Sequence, residues 1–252
     1  MNTNEMRIDA AFKELKMPGA TRSWRPLIRD AQTKGQDPDL FLAALLESEL
    51  ISRRENRLRM LLAEAHFPEA KTLDTFDFTA QPSVPKTKVL ALASADFLKQ
   101  RESVVCIGPP GTGKTHLSSA IGVSCIHAGF RVRFTTVTAL ANDLLAARDN
   151  HTLTRAFRKW QRYSLVILDE LGFVPLSRDG AQVLFQFISD RYDNGKSLVI
   201  TTNLEFSKWT EVLHDPQMTA ALLDRLTHRC HIFEHKGESY RFRESMKKKG
   251  KN

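Results

Sequence analysis

The chain has 252 residues, 42% of them hydrophobic and 26% charged, with a formal net charge of +8. That is room for one large domain plus a small appendage, in the composition of an ordinary soluble globular protein. No apolar run approaches the ~20 residues that cross a bilayer, and MNTNEMRIDAAF lacks a signal-peptide core, so a cytoplasmic protein with no membrane partner is expected. Cys106, Cys125 and Cys230 have no C-x-x-C spacing and are expected as small hydrophobes rather than metal ligands. From Lys236 onward there are seven Lys/Arg against two Glu, a solvated basic tail or a nucleic-acid contact.

The first 67 residues read as helical. Ile8, Phe12 and Leu15 place a helix over Met6 to Lys16, stopped by Pro18-Gly19, and a second spans Thr21 to Lys34. Asp37-Pro38 has the form of an N-cap followed by proline at the first helical position. Phe41, Leu42, Leu45, Leu46 and Leu50 then form an apolar face that continues into Leu58, Leu61, Leu62 and Ala65, on one long helix or on two with a break near Ser48 to Ser52. Arg53, Arg54, Arg57 and Arg59 cluster on it, opposed locally by Glu55. They form either a solvated polar face or a contact to DNA phosphates. Up to Ala70 acids and bases balance at eleven each, so any DNA contact there rests on this local clustering.

Pro68 to Pro85 carries three prolines and no sustained period, and is the expected linker. Phe76 and Phe78 within it either pack on the next domain or stack near a base. Lys86 to Lys99 follows as a helix.

Val104-Val105-Cys106-Ile107 is short enough to be a buried parallel strand, and Gly108-Pro109-Pro110-Gly111-Thr112-Gly113-Lys114-Thr115 leads from it into a helix with Lys114-Thr115 at its entry, on which Leu117, Ala120 and Ile121 recur. Strand, glycine loop and helix start, in that order, are the context of a phosphate-binding P-loop. Glycines let backbone N–H groups turn toward phosphate oxygens, Lys114 reaches the β- and γ-phosphates, and the Thr115 hydroxyl is a Mg2+ ligand. Gly108 to His116 is therefore the expected ATP-binding segment.

Arg131 to Thr136 alternates as a strand. Two helices follow, Ala139 to Arg148 and Leu153 to Gln161. The second carries Arg155, Arg158, Lys159, Trp160 and Arg162, which fits an amphipathic helix with a packed Trp or a nucleic-acid contact. Leu165 to Leu168 is a continuous apolar strand with Asp169 and Glu170 at its C-terminal end, where open α/β sheets bind ligands. Asp169 is the second expected Mg2+ ligand, and Glu170 the group that activates water. Gly180 to Tyr192 reads as a helix. Leu198 to Thr202 is a strand whose polar end places Asn203 for the γ-phosphate or the water. Thr219 to His228 is a last helix before the strand Cys230 to Phe233.

The P-loop together with SLVILDELGFVPLSRDGAQ, LVITTNLEF and LLDRLTHRCHIFEHKGESYR resembles the IstB family, ATP-binding helper proteins of insertion sequences related to the DnaC helicase loader and DnaA within the AAA+ ATPases. The resemblance spans essentially the whole chain. It implies an AAA+ P-loop NTPase of α/β class with a parallel five-stranded sheet in the order 5-1-4-3-2, preceded by a small all-helical domain. It implies ATP bound between neighbours in a ring or spiral, the helix pair between Thr136 and Ser164 being the initiator-type insertion. By motif position Arg225 is the finger supplied to the next subunit, with Arg191 and Arg229 as alternatives, and no helical lid domain is expected after the last strand. The expected division is 1–67 helical domain, 68–85 linker, 86–245 ATPase domain and 246–252 basic, disordered tail. The expected activity is ATP hydrolysis on duplex DNA in the service of the element's transposase. A helicase loader is the nearest alternative, and a small-molecule kinase a more distant one.

Overall fold

The structure, a computed structural model, describes residues 3–69, 71–240, 242, 243 and 246. Apart from Met246, the expected tail lies outside the described residues. Two compact units divide between Met60 and Leu61.

In the first unit, helices α1 (Thr3–Glu14) and α2 (Pro18–Lys34) precede the start of α3 (Pro38–Ala65). Pro18-Gly19 opens α2 rather than ending α1, because proline is tolerated in a first helical turn. The amides of Gly19 and Ala20 find an acceptor in Glu49, at 2.7 and 3.1 Å. A Cβ on Gly19 would sit 2.7 Å from the Ser52 Cβ and 2.8 Å from the Glu49 Cα, so only glycine permits this crossing. Trp24, Ala20 and Leu45 form the small core, with Ile8, Phe12 and Phe41 packed around it.

The region from Ser48 to Ser52 is unbroken helix, and of the expected face up to Leu50 only Phe41 and Leu45 turn inward. Leu42, Leu46 and Leu50 are exposed, whereas Glu49 and Ser52 are buried. Arg53 is also not a free cation. It pairs with Glu49 at 2.7 Å and donates to the Lys16 carbonyl at 3.2 Å.

Burial pushes the Glu49 carboxyl up, but hydrogen bonds from Arg53, Ala20 and Gly19 outweigh it and hold the group below its ordinary 4.5. The stabilisation is therefore complete above about pH 4.5 and lost as pH falls through the lower folded value. Thermal melts of wild type and Glu49→Gln between pH 6 and 2 check this. The wild-type advantage is expected to shrink only on the acid side.

In the second unit, a 3-10 turn (Leu73–Thr75) leads to α4 (Lys86–Leu92) and α5 (Asp96–Lys99), where one helix was expected. Ala95, at φ +59, breaks it. The chain then runs through β1 (Ser103–Ile107), α6 (Lys114–His127), β2 (Val132–Thr136), α7 (Val137–Asp149), α8 (Leu153–Gln161) and β3 (Leu165–Leu171). It continues with α9 (Arg178–Asp193), β4 (Ser197–Thr202), α10 (Thr210–Leu213), α11 (Pro216–Thr227) and β5 (Cys230–Glu234). Side-chain caps start α7, α9 and α11, from Thr136, Ser177 and Asp215 respectively, the last with Pro216 at its first position.

All strand pairs are parallel, in the order β2-β3-β4-β1-β5, which is the expected 5-1-4-3-2. β1, β3 and β4 lie inside the sheet, which is why they read as nearly continuous apolar runs. Strand alternation splits β3 between two layers. Val166 and Leu168 join the core with Leu140 and Leu144 of α7, Phe187 of α9 and Leu222 of α11. Ile167 faces the other way, against Gly122 of α6. Cys106 and Cys125 are buried and Cys230 half-buried, and burial pushes all three thiols up to about 12.

Candidate nucleotide site

The loop between β1 and α6 lies at the C-terminal edge of the sheet. Gly108, at φ +153, lies so close to β5 that a Cβ would sit 2.1 Å from the His235 carbonyl oxygen, and Gly113, at φ +90, caps the start of α6. Neither place admits a side chain without rearrangement. The Lys114 ammonium donates to the carbonyls of Gly108 and Pro109, both at 2.7 Å, which centres its charge within the loop. The Thr115 hydroxyl reaches both oxygens of Asp169, at 3.1 and 3.0 Å.

Asp169 and Glu170 are neighbours on a strand, so simple alternation would put them on opposite faces. Both nevertheless line one cavity of about 860 Å3 with Thr112, Lys114, Thr115 and Phe134. The reason is a bulge. Leu168 pairs with Ile200 but Leu171 with Thr202, so β3 holds one residue more than β4 there, and Glu170 takes φ +65. A bulge of this kind re-aims a side chain beside a site, at a backbone cost of ~1–3 kcal/mol for the strained residue. Asp169 stays buried while Glu170 becomes exposed.

Thr201 joins the two acids and was not singled out in the sequence. Its hydroxyl donates to Asp169 and accepts the Glu170 amide at 3.0 Å. A hydroxyl within the fully buried run of β4, where Ser197, Thr201 and Thr202 all carry one, is the signal that could have found it.

The segment before α4 also reaches the site. The amide of Gln81 donates to the Thr112 carbonyl at 3.2 Å. Phe76 is buried and packs edge-on to His116, with centroids 5.2 Å apart. His116 donates from Nε2 to the Thr72 carbonyl at 3.1 Å, so its ring ties α6 to the preceding segment. Burial holds His116 below its ordinary value. From the other end of the chain, Glu238, Tyr240 and Arg243 line the same cavity, and the Tyr240 amide donates to Gly111 at 2.9 Å.

The sequence profile described as IstB-like ATP binding protein matches residues 10–248. The chain belongs to that family. This IstB-like protein is 40% identical to an insertion-sequence ATP-binding protein of Sinorhizobium fredii, over 98% of this chain and 83% of that one. It is 36% identical to the ATP-binding protein of insertion sequence IS5376 from Geobacillus stearothermophilus, over 94% of each. Among solved structures it resembles the DnaC helicase loader at TM-score 0.52 and 21% identity, covering 60% of this chain and 90% of that one. It also resembles AMPPCP-bound DnaA from Aquifex aeolicus at TM-score 0.58 and 18% identity, covering 74% and 57%. At those identities the likeness speaks for the AAA+ fold.

Not every expected site residue of the IstB-like chain lines the cavity. Asn203 is exposed one residue beyond β4 and is not among the lining residues; nor are Gly108, Pro109 and Pro110 at the loop entrance. Arg225 is half-buried on α11, 5.6 Å over the Phe185 ring. It lines a second cleft of about 340 Å3 with Arg101, Lys196, His228 and Arg229, where β1 and β4 begin rather than end. The six residues of β4, five steps of ~3.3 Å, put its two ends about 17 Å apart. Arg191 cannot be a finger. It is fully buried and donates to the carbonyls of Trp160, Tyr163, Ser164 and Ser197.

On α8, Leu153, Ala156, Phe157 and Trp160 pack on the core, so the Trp is structural. Arg155, Arg158, Lys159 and Arg162 share the exposed face, without an ion pair among the described residues. Arg54 and Arg57 are exposed on α3. No helix among the described residues is long and apolar enough to cross a membrane.

Proposed function

We propose that the chain is a cytoplasmic ATPase that assembles on duplex DNA, recruits and stimulates the transposase of its insertion sequence and takes part in target selection, with hydrolysis driving disassembly. The observation that carries this reading is the separation of Arg225 from its own chain's cavity. A cation at the opposite edge of the sheet suits the γ-phosphate of a neighbour, as in a ring or spiral with ATP between subunits. The relatives that match over nearly the full chain are named for insertion sequences, which favours a transposase over a replicative helicase as partner.

The P-loop amides and Lys114 would bind the ATP phosphates. Thr115 and Asp169, already in mutual contact, are a fitting oxygen donor pair for Mg2+, which when bound neutralises charge on the β- and γ-phosphates. Glu170 would take a proton from the attacking water as its oxygen bonds to the γ-phosphorus and the bond to the β–γ bridging oxygen breaks. ADP and phosphate leave, and the proton passes to solvent. Asn203 would orient the water or the γ-phosphate, and the Arg225 of a neighbour would stabilise the transferring charge.

Residues 1–67 would bind partner or DNA, 68–85 serve as linker and 86–245 as the ATPase domain. Exposed Leu42, Leu46 and Leu50 at four-residue spacing support docking by the first of these. Arg155, Arg158 and Lys159, with Arg54 and Arg57 in second place, would meet DNA phosphates.

Thr201→Val removes the one hydroxyl that bridges Asp169 to the Glu170 amide. It is expected to lower kcat for ATP hydrolysis about 10- to 100-fold with a smaller change in KM, while Thr201→Ser stays near wild type. Steady-state phosphate release checks both.

The assembly reading is tested by electron microscopy of the protein with duplex DNA and a slowly hydrolysed ATP analogue. Rings or spirals around DNA are expected with the analogue and not without it. Unassembled monomers under both conditions would overturn it.

A further inference from the structure

A loop that turns its amides toward phosphate turns carbonyls outward, and a buried outward carbonyl needs a donor. Thr112 is the case in point. It is 4% exposed, and its carbonyl accepts two hydrogen bonds, from Gln81 at 3.2 Å and from His235 Nδ1 at 2.9 Å.

His235, just beyond β5, brackets the P-loop at both ends. Its amide donates to Ile107 at 2.7 Å, where the loop begins, and its carbonyl abuts Gly108. Its ring reaches Thr112, four residues further on. Because a carbonyl only accepts, Nδ1 carries the proton and Nε2 is left as an acceptor. That Nε2 is buried without a partner among the described residues, in a residue 1% exposed. An apolar side chain would fill the space without burying an idle polar atom, so the imidazole has a counterpart to its cost only at Nδ1–H. Burial, aided by the Lys114 charge, takes the group down to about 4 against the pull of Thr112, which keeps the ring neutral.

We propose that His235 and Gln81 are positioning residues for nucleotide binding, holding the Thr112 carbonyl on the outer side of the P-loop so that the loop keeps its phosphate-binding form. The same clasp joins two stretches distant in sequence. The Lys236 amide donates to the Ser83 hydroxyl and the Arg243 guanidinium to the Ala80 carbonyl, both at 3.0 Å. The loop is thus held by the segment before α4 and the segment after β5 together.

The inference rests on ATP binding by the family and not on the DNA reading. Its test is equilibrium titration of the full chain with a fluorescent ATP analogue, with a melting curve for each variant. His235→Leu removes the donor and is expected to raise Kd about 10- to 100-fold. The amide of His235→Asn can take the place of Nδ1–H and is expected to restore Kd to within about 3-fold of wild type. A variant that merely filled space would show no such rescue. His235→Leu at wild-type affinity, or His235→Asn as weak as His235→Leu, would overturn the proposal. If His235→Leu gives no cooperative melt, Gln81→Leu decides. A Kd raised about 3- to 10-fold with unchanged melting supports it, and an unchanged Kd overturns it. A wild type that binds no ATP would instead overturn the nucleotide reading, and this inference with it.

Discussion

Lys114→Ala is expected to raise the Kd for ATP by about 100-fold or more, the loss of a charge-assisted contact to phosphate. The ammonium lies 2.7 Å from two carbonyls at the entrance of the P-loop, so its position is set by the loop itself. Alanine removes the positive charge together with the hydrogen bonds it makes to those carbonyls. Nucleotide titration reads the effect. Nucleotide-dependent assembly should disappear with it, and DNA retention of the variant should no longer respond to ATP.

Glu170→Gln is expected to have the opposite effect on assembly and the larger effect on turnover. The amide keeps nearly the shape of the carboxylate, and the bulge is held through the backbone by the Glu170 amide on Thr201. Binding should therefore persist while the base is lost, lowering kcat about 10²- to 10⁴-fold. ATP-bound oligomers would accumulate on DNA, which co-sedimentation at fixed ATP reads directly. Equal retention of wild type and both variants, with and without ATP, would contradict the link between nucleotide and assembly.

Strand positions and the glycine loop were legible because a central parallel strand is apolar at nearly every residue, and Val104 to Ile107, Leu165 to Leu168 and Leu198 to Ile200 have no other plausible element. The family resemblance supplied the order in which they pair, which the sheet bears out. The Asp169-Glu170 pair was legible as chemistry but not as geometry. Period-2 alternation sends adjacent residues apart, and nothing local announces the extra residue that brings both to one cavity.

Elsewhere, residue type misled. The leucines at 42, 46 and 50 suggested an inward face, yet the burial of Glu49 against the Gly19 and Ala20 amides turns α3 so that they face out. The stretch 68–85 has no period because its residues serve particular contacts, such as Gln81 on Thr112 and Phe76 on His116. A strand-end amide such as Asn203 looks more available in a sequence than a buried hydroxyl such as Thr201. His235 gave no signal, since its partner lies more than a hundred residues away in sequence.

The central claim is that each chain supplies half of a nucleotide site and a neighbour the other half. Mixing Glu170→Gln with Arg225→Ala tests it, because each variant alone should be nearly inactive in DNA-stimulated phosphate release. In an equal mixture, a chain with Glu170 intact meets a neighbour with Arg225 intact at about a quarter of head-to-tail interfaces. The account predicts activity restored to roughly that fraction of wild type. A mixture no more active than the two variants measured separately would contradict it.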